Sequence, residues 1–189
     1  TSMLGDNEDF KQMTDVIIEK SNQLTKIIDD VLYASDIQNI PVNLESVNIG
    51  DVIVDVSANY RGLLPKDGEM IVTPDSSDIM ATTDRTLLAK ALTLVVDNAV
   101  KFAGNSLITI AARQDDSHTE ITVSDCGKGI PKDKSEWVFE EFTKVDDFTQ
   151  GTGLGLAICR ELVKRLHGSI YIDTNYTKGC RMVISLPLT

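Results

Sequence analysis

The sequence predicts an α+β protein: a two-layer α/β sandwich with a mixed, mostly antiparallel sheet, preceded by one long helix. Three observations carry that expectation. An apolar stripe at alternating three- and four-residue spacing runs through the N-terminal part and stops at Ile40-Pro41. Beyond it, segments that alternate every second residue trade places with amphipathic segments of helical period. Two glycine-rich runs punctuate that second part, one directly after a strand pattern and one opening a helix pattern.

Residues 7 to about 39 read as one helix. Phe10, Met13, Ile17, Leu24, Ile27, Val31 and Ala34 form its stripe, with a gap at Lys20 and Ser21. So narrow a stripe asks for a partner helix; packing on the helix's own domain is the alternative. Proline disfavours helical geometry in the residue before it, which places a domain boundary between residues 1–40 and 41–189. Next, "VNLESVNI" predicts a strand and "IGDVIVDVSANYRGLL" a helix. "EMIVTP" and "DIMATT" predict two short strands paired with each other. Asp84 is placed to cap a helix from Arg85 to Phe102. "SLITIAARQ" and "TEITVSDC" alternate as strands about the polar turn "DDSH". A short helix is expected near residues 133–140 and a longer one from Leu154 to Leu166. "SIYIDTN" and "RMVISLP" close the sequence as a hairpin.

Composition narrows the function. The net charge of -11 repels nucleic-acid phosphates, so no nucleic-acid partner is expected. The three cysteines, Cys126, Cys159 and Cys180, form no CxxC pair. With only His118 and His167 and no HExxH, neither a disulfide scaffold nor a transition-metal centre is expected, and a reducing compartment fits. No apolar run approaches a membrane span and no signal peptide is visible. A cytoplasmic domain is expected, from a parent protein that membrane anchoring would also suit.

Four segments carry candidate chemistry. In "LVVDNAVKFA", Asn98 and Lys101 are three apart and share a helix face. An amide oxygen suits Mg²⁺ and a lysine suits phosphate, although an ordinary solvated helix face reads the same. In "SDCGKGI", Asp125 ends a strand and Gly127 and Gly129 permit a tight loop. A carboxylate there can accept the exocyclic amine of adenine, with Ile130 against the base; a surface turn is the plain alternative. In "VFEEFTKVDDF", Phe139 and Phe142 are three apart on the short helix, a spacing that core packing also explains. In "QGTGLGLAICRELVKRLHG", Gly151, Gly153 and Gly155 open a helix whose N-terminus can hold phosphate. No strand immediately precedes this run and no GK[ST] follows, which excludes a dinucleotide fingerprint and a P-loop.

Together, and in this order, the four segments resemble the histidine kinase branch of the ATPases that include DNA gyrase, MutL and the large heat-shock chaperones. Residues 94–103 resemble the N box, 125–129 the first glycine box, 139–142 the F box and 151–155 the second glycine box. The resemblance covers residues 40–189, and "LTKIIDDVLYASDI" is similar to the second helix of the family's dimerisation hairpin. It implies ATP and Mg²⁺ as cofactors, with Asn98 on the metal and Lys101 on a phosphate. Phe102 would lie beside the nucleotide, and Asp125 would bind the adenine amine in a pocket shaped by Gly127, Gly129 and Ile130. Phe139 and Phe142 would anchor a lid that carries Lys144. Thr152, Gly153, Leu154, Gly155 and Leu156 would line the phosphate end.

The same resemblance implies a homodimeric parent, a hairpin histidine as phosphoacceptor and a response regulator receiver domain as partner. The hairpin's first helix is not found in this sequence. His118 lies in a strand turn and His167 at a helix stop, where Gly168 suits the residue just past the helix. The expectation is Mg-ATP binding without ordinary autophosphorylation of this chain. Two departures stand out: Leu94 occupies a position often polar in the family, which predicts weak ATP hydrolysis, and Gln150 replaces a glycine. A non-catalytic nucleotide-responsive module is the competing reading.

Overall fold

The computed structural model describes residues 2–60, 62–64, 68–73, 78–104, 106–144 and 151–188, with side chains from residue 10 onward. Helix α1 spans Ser2–Asp36 and runs into a 3-10 turn at Ile37–Asn39. Its stripe residues Phe10, Met13, Ile17, Leu24 and Val31 face solvent. Among its described apolar side chains, those that turn inward are at the C-terminal end: Tyr33 and Ala34 pack against the core, and Ile37 just beyond is buried in it. Ala34, expected on the stripe that asks for a partner helix, thus belongs to the domain contact. The Arg165 guanidinium donates to the carbonyl oxygens of Ile37 and Ile40, which pins the exit of α1 to the domain. No helix among the described residues is long and apolar enough to cross a membrane.

Strand β1 (Glu45–Asn48) leads into α2 (Ile49–Ala58), where the Asn48 side chain accepts from the Asp51 backbone N–H at 3.1 Å. Ile49, Val52, Ile53 and Val56 recur at helical spacing and are buried. Then come β2 (Met70–Val72), β3 (Met80–Thr83) and α3 (Arg85–Ala103). Asp84 caps α3: one carboxylate oxygen accepts from the Leu87 N–H at 2.9 Å and the other from the Asn43 N–H at 2.8 Å. The rest of the fold is β4 (Ile108–Gln114), β5 (His118–Asp125), α4 (Gly155–Arg165), β6 (Ser169–Ile172) and β7 (Arg181–Pro187).

The main sheet has the order β2-β4-β5-β7-β6; β2 runs parallel to β4 and the other neighbours are antiparallel. One face carries Ile108, Ile110, Ile121, Val123, Met182 and Ile184, all buried beneath α3 and α4. The other carries polar pairs such as Arg113 and Glu120, as period-two alternation requires. The fold class is therefore the one the sequence predicts.

Three local expectations fail. β2 and β3 do not pair with each other. β2 lies beside β4, with Met70 opposite Ile108, and β3 forms a separate two-stranded sheet with β1, with Glu45 opposite Thr83. Strands of three and four residues show a face but no partner, so proximity in sequence misled. The helix near 133–140 is two separate 3-10 turns, Lys132–Lys134 and Trp137–Phe139. At the stop of α4, His167 takes the left-handed conformation (φ 60°), not Gly168. The N–H groups of His167 and Gly168 donate to the carbonyls of Lys164 (3.0 Å) and Val163 (2.9 Å), which is a Schellman closure. Gly168 is needed one residue later, because a Cβ there would sit 2.4 Å from the Ser185 carbonyl oxygen.

Candidate functional site

A cavity of about 420 Å³ opens between α3, the loop after β5, the start of α4 and the middle of α1. Each wall has a local cause. Helical spacing brings Asn98, Lys101 and Phe102 of α3 to one wall, with Leu94 and Asp97 a turn earlier. The end of β5 delivers Asp125, followed by Gly129 and Ile130. Lys144 and the run Thr152, Gly153, Gly155 and Leu156 form the opposite wall.

Asp125 is 4% exposed. Its Oδ1 accepts from the backbone N–H groups of Gly127 at 2.8 Å and Cys180 at 3.2 Å. These bonds orient the carboxylate and occupy only that oxygen. Burial raises the Asp125 pKa above the ordinary carboxylate value, and the two backbone donors pull against the rise. The neighbouring Cys180 thiol is pushed up to about 12 by burial and by the Asp125 charge, so it lines the cavity as a neutral group. Gly179 lets the two strands close on this site: a Cβ there would fall 2.2 Å from the Asp125 carbonyl oxygen.

The lining is rich in cations. Lys26, Lys101, Lys128 and Lys144 all border the cavity, against Asp30, Asp97 and Asp125, in a chain of net charge -11. Burial lowers the Lys101 pKa, and repulsion from Lys144 and Lys26 lowers it further. The Lys101 and Lys128 ammoniums lie 5.0 Å and 5.8 Å from the centre of the Phe102 ring, within cation–π reach.

Four expected site residues stand outside the lining. Gly127 acts through its N–H on Asp125, and Leu154 is buried beneath the glycine run. Phe139 is fully buried, with the Arg160 guanidinium 5.9 Å from its ring centre. Phe142 is 64% exposed, so the two aromatics do not share a face. The chain extends at Glu140 (φ -78°, ψ 154°), which breaks the helical phase that the three-residue spacing assumed. Phe142 contributes backbone instead: it has φ 60°, and a Cβ on Gly153 (φ 74°) would lie 2.8 Å from its carbonyl carbon. Gln150 and the rest of 145–150, the expected lid, lie outside the described residues.

Sequence reasoning missed Gln23, Lys26 and Asp30 of α1, together with Asp97, Lys128 and Thr143. Lys128 was legible, sitting between the two glycines of its loop. The α1 residues carried no signal, because attention to the apolar stripe hid the polar face beside it. Asp97 is held by the Tyr60 hydroxyl, which donates to Oδ1 at 2.6 Å. His118 and His167 are exposed and do not line the cavity.

Residues 83–189 match the family described as histidine kinase-, DNA gyrase B-, and HSP90-like ATPase. The sensor histidine kinase RcsC of Escherichia coli strain K12 is 30% identical over 177 residues, which is 89% of this chain and 18% of RcsC. The chain spans 18% to 23% of the length of the first curated relatives it matches. Among solved structures, the mycobacterial sensor histidine kinase MprB superposes with a TM-score of 0.66 at 29% identity, covering 77% of this chain and 97% of that one. Full-length ShkA in complex with AMPPNP shares the fold, with a TM-score of 0.80 at 22% identity over 95% of this chain and 39% of that one. The chain therefore belongs to the histidine kinase-, DNA gyrase B- and HSP90-like ATPases, on their sensor histidine kinase branch.

Proposed function

We propose that this domain binds Mg-ATP in the cavity and transfers the γ-phosphoryl group to a histidine on a dimerisation hairpin, for relay to an aspartate of a response regulator. The observation that carries the proposal is the make-up of the cavity: one buried carboxylate oriented by backbone donors, and four lysines around the same volume. Asp125 would accept the adenine amine on the oxygen its backbone donors leave open. Guanine presents a carbonyl there, and two facing acceptors repel, so the site selects adenine. Lys101, Lys144 and the N–H groups opening α4 would hold the phosphates.

Mg²⁺ fits the donor set. Asn98 offers an amide oxygen on the cavity wall, and no cluster of His, Cys, Asp or Glu able to hold a metal occurs among the described residues. A cation here would take most of its ligands from phosphate and water, as Mg²⁺ does. It would neutralise charge building on the phosphate oxygens. In the transfer, an imidazole nitrogen forms the new P–N bond as the bond to the β-phosphate oxygen breaks and ADP leaves. The protein's part is alignment and charge. The expected histidine is neither His118 nor His167, whose side chains lie away from the cavity.

One observation favours a second reading, a nucleotide-responsive module without transfer. Leu94 is 8% exposed and presents only carbon to the cavity, so it cannot orient a water or a nucleophile. Calorimetry with ATP, ADP and GTP, with and without Mg²⁺, tests binding. Incubation with a complete hairpin and labelled ATP tests transfer. Acid-labile label on the hairpin is expected; label on this chain alone would refute the assignment of the acceptor, and binding without any label would favour the second reading.

A further inference from the structure

Gln23, Lys26 and Asp30 line the cavity from α1. Their spacing of three and four places them on one helix face. This is not the apolar stripe, whose Phe10, Ile17 and Val31 are exposed. The polar face is held in register from two sides. The Thr152 hydroxyl donates to Asp30 Oδ2 at 2.9 Å while accepting from the Leu154 N–H at 3.2 Å, which ties α1 to the glycine run. Below it, Arg165 grips the carbonyls of Ile37 and Ile40.

Lys26 meets its carboxylate partner, Asp97 Oδ2, only at 4.0 Å, and both side chains are well exposed. Such a pair fixes little. The charge of Lys26 reaches Lys101, as does that of Lys144. Three ammoniums around one volume repel one another until an anion enters it. Lys101 lies beside the glycine run, where a Cβ on Gly151 would fall 2.4 Å from its Nζ.

We propose that α1 completes the phosphate end of the nucleotide site: Lys26 contacts the terminal phosphate of a bound nucleoside triphosphate, and the Asp30–Thr152 hydrogen bond sets Lys26 in place. This inference rests on the nucleotide reading above. It makes the helix that carries the apolar stripe a part of the binding site, so the site distinguishes ATP from ADP only while α1 is docked.

The test is calorimetric titration of residues 1–189 with Mg-ATP and Mg-ADP, for the parent chain, Lys26→Ala and Lys26→Arg. Lys26→Ala should weaken ATP binding about five- to tenfold and ADP binding less than about twofold, as expected for loss of one partly solvated charge contact. Lys26→Arg should restore most of the ATP preference. A general loss of fold would lower both affinities together, so the ATP-to-ADP ratio is the readout. Equal weakening of both nucleotides, or no change in either while the parent chain binds adenine nucleotides, overturns the inference and leaves the nucleotide reading intact. Failure of the parent chain to bind any nucleotide overturns both.

Discussion

The two ends of the cavity are built in opposite ways. The Asp125 end is made by neighbouring strands: β5 ends in the carboxylate, and the turn into β7 supplies the Cys180 N–H that orients it. It is buried, and Asp125 Oδ1 is held by two backbone donors at fixed positions. The lysine end is assembled from α1, α3, the segment after the 3-10 turns and the glycine run. Its charged groups are long, solvated side chains. A rigid end suits a planar base whose shape never changes. An adjustable end suits a phosphate chain that is shorter after each transfer.

Substitutions can break or sharpen that contrast. The largest effect is expected at Phe139, which roots the second wall in the core: Phe139→Ala should lower unfolding free energy by about 3–5 kcal/mol. Phe142→Ala should change it by less than about 0.5 kcal/mol, since that ring is 64% exposed. Urea unfolding of the two variants measures both. Equal losses would mean that Phe142, too, anchors the wall.

Asp125→Asn comes next. It keeps Oδ1 as acceptor for Gly127 and Cys180 and replaces the outer oxygen with a donor facing the adenine amine. Affinity should fall by about 1–3 kcal/mol, equally for ATP, ADP and AMP, with no loss of melting temperature. A larger loss for ATP than for AMP would contradict the separation of the two ends.

The pH response follows from the same carboxylate. Its folded pKa lies above the ordinary 3.8, chiefly through burial. The folded protein therefore takes up this proton before the unfolded chain does. The contribution of Asp125 to stability is fully present below 3.8 and is lost as pH rises through the folded pKa. Adenine binding needs the ionised form and should run the other way, weakening as pH falls through that same window. Calorimetry across it, with Asp125→Asn as a pH-insensitive control, would show whether this carboxylate is the group responsible. Among the binding variants the smallest effect is expected for Lys101→Ala, about 1 kcal/mol for ATP and less for AMP, diminishing in high salt.

The carboxylate and loop at Asp125 are legible in the sequence because they are local, whereas the Cys180 N–H that also orients Asp125 comes from 55 residues away and carried no signal. A strand pattern ending in Asp125 and a glycine-bearing loop occur within a few residues of each other. Asp84 as a cap and α4 as the glycine run's helix were legible for the same reason. The lysine end was legible only in part. Lys101 and Lys144 sit in recognisable segments, whereas Lys26 is more than a hundred residues from Thr152 and shares no motif with it. Pairing of β2 and β3 failed on a similar ground, since short strands do not encode their neighbours. Phe142 failed because one extended residue, Glu140, reset the phase of its segment.

One contact has a bearing on how this protein can vary. The backbones of Phe142 and Gly153 meet, since a Cβ on Gly153 would fall 2.8 Å from the Phe142 carbonyl carbon. Phe142 and Gly153 are thus held together, whatever the length of chain between them. Closing a loop grows costlier only with the logarithm of its length, about 0.6 kcal/mol for each doubling. Inserted residues there would scarcely disturb the fold, while a side chain at Gly153 would force the two ends apart. In this protein the tether's footing is fixed and its length is free to drift.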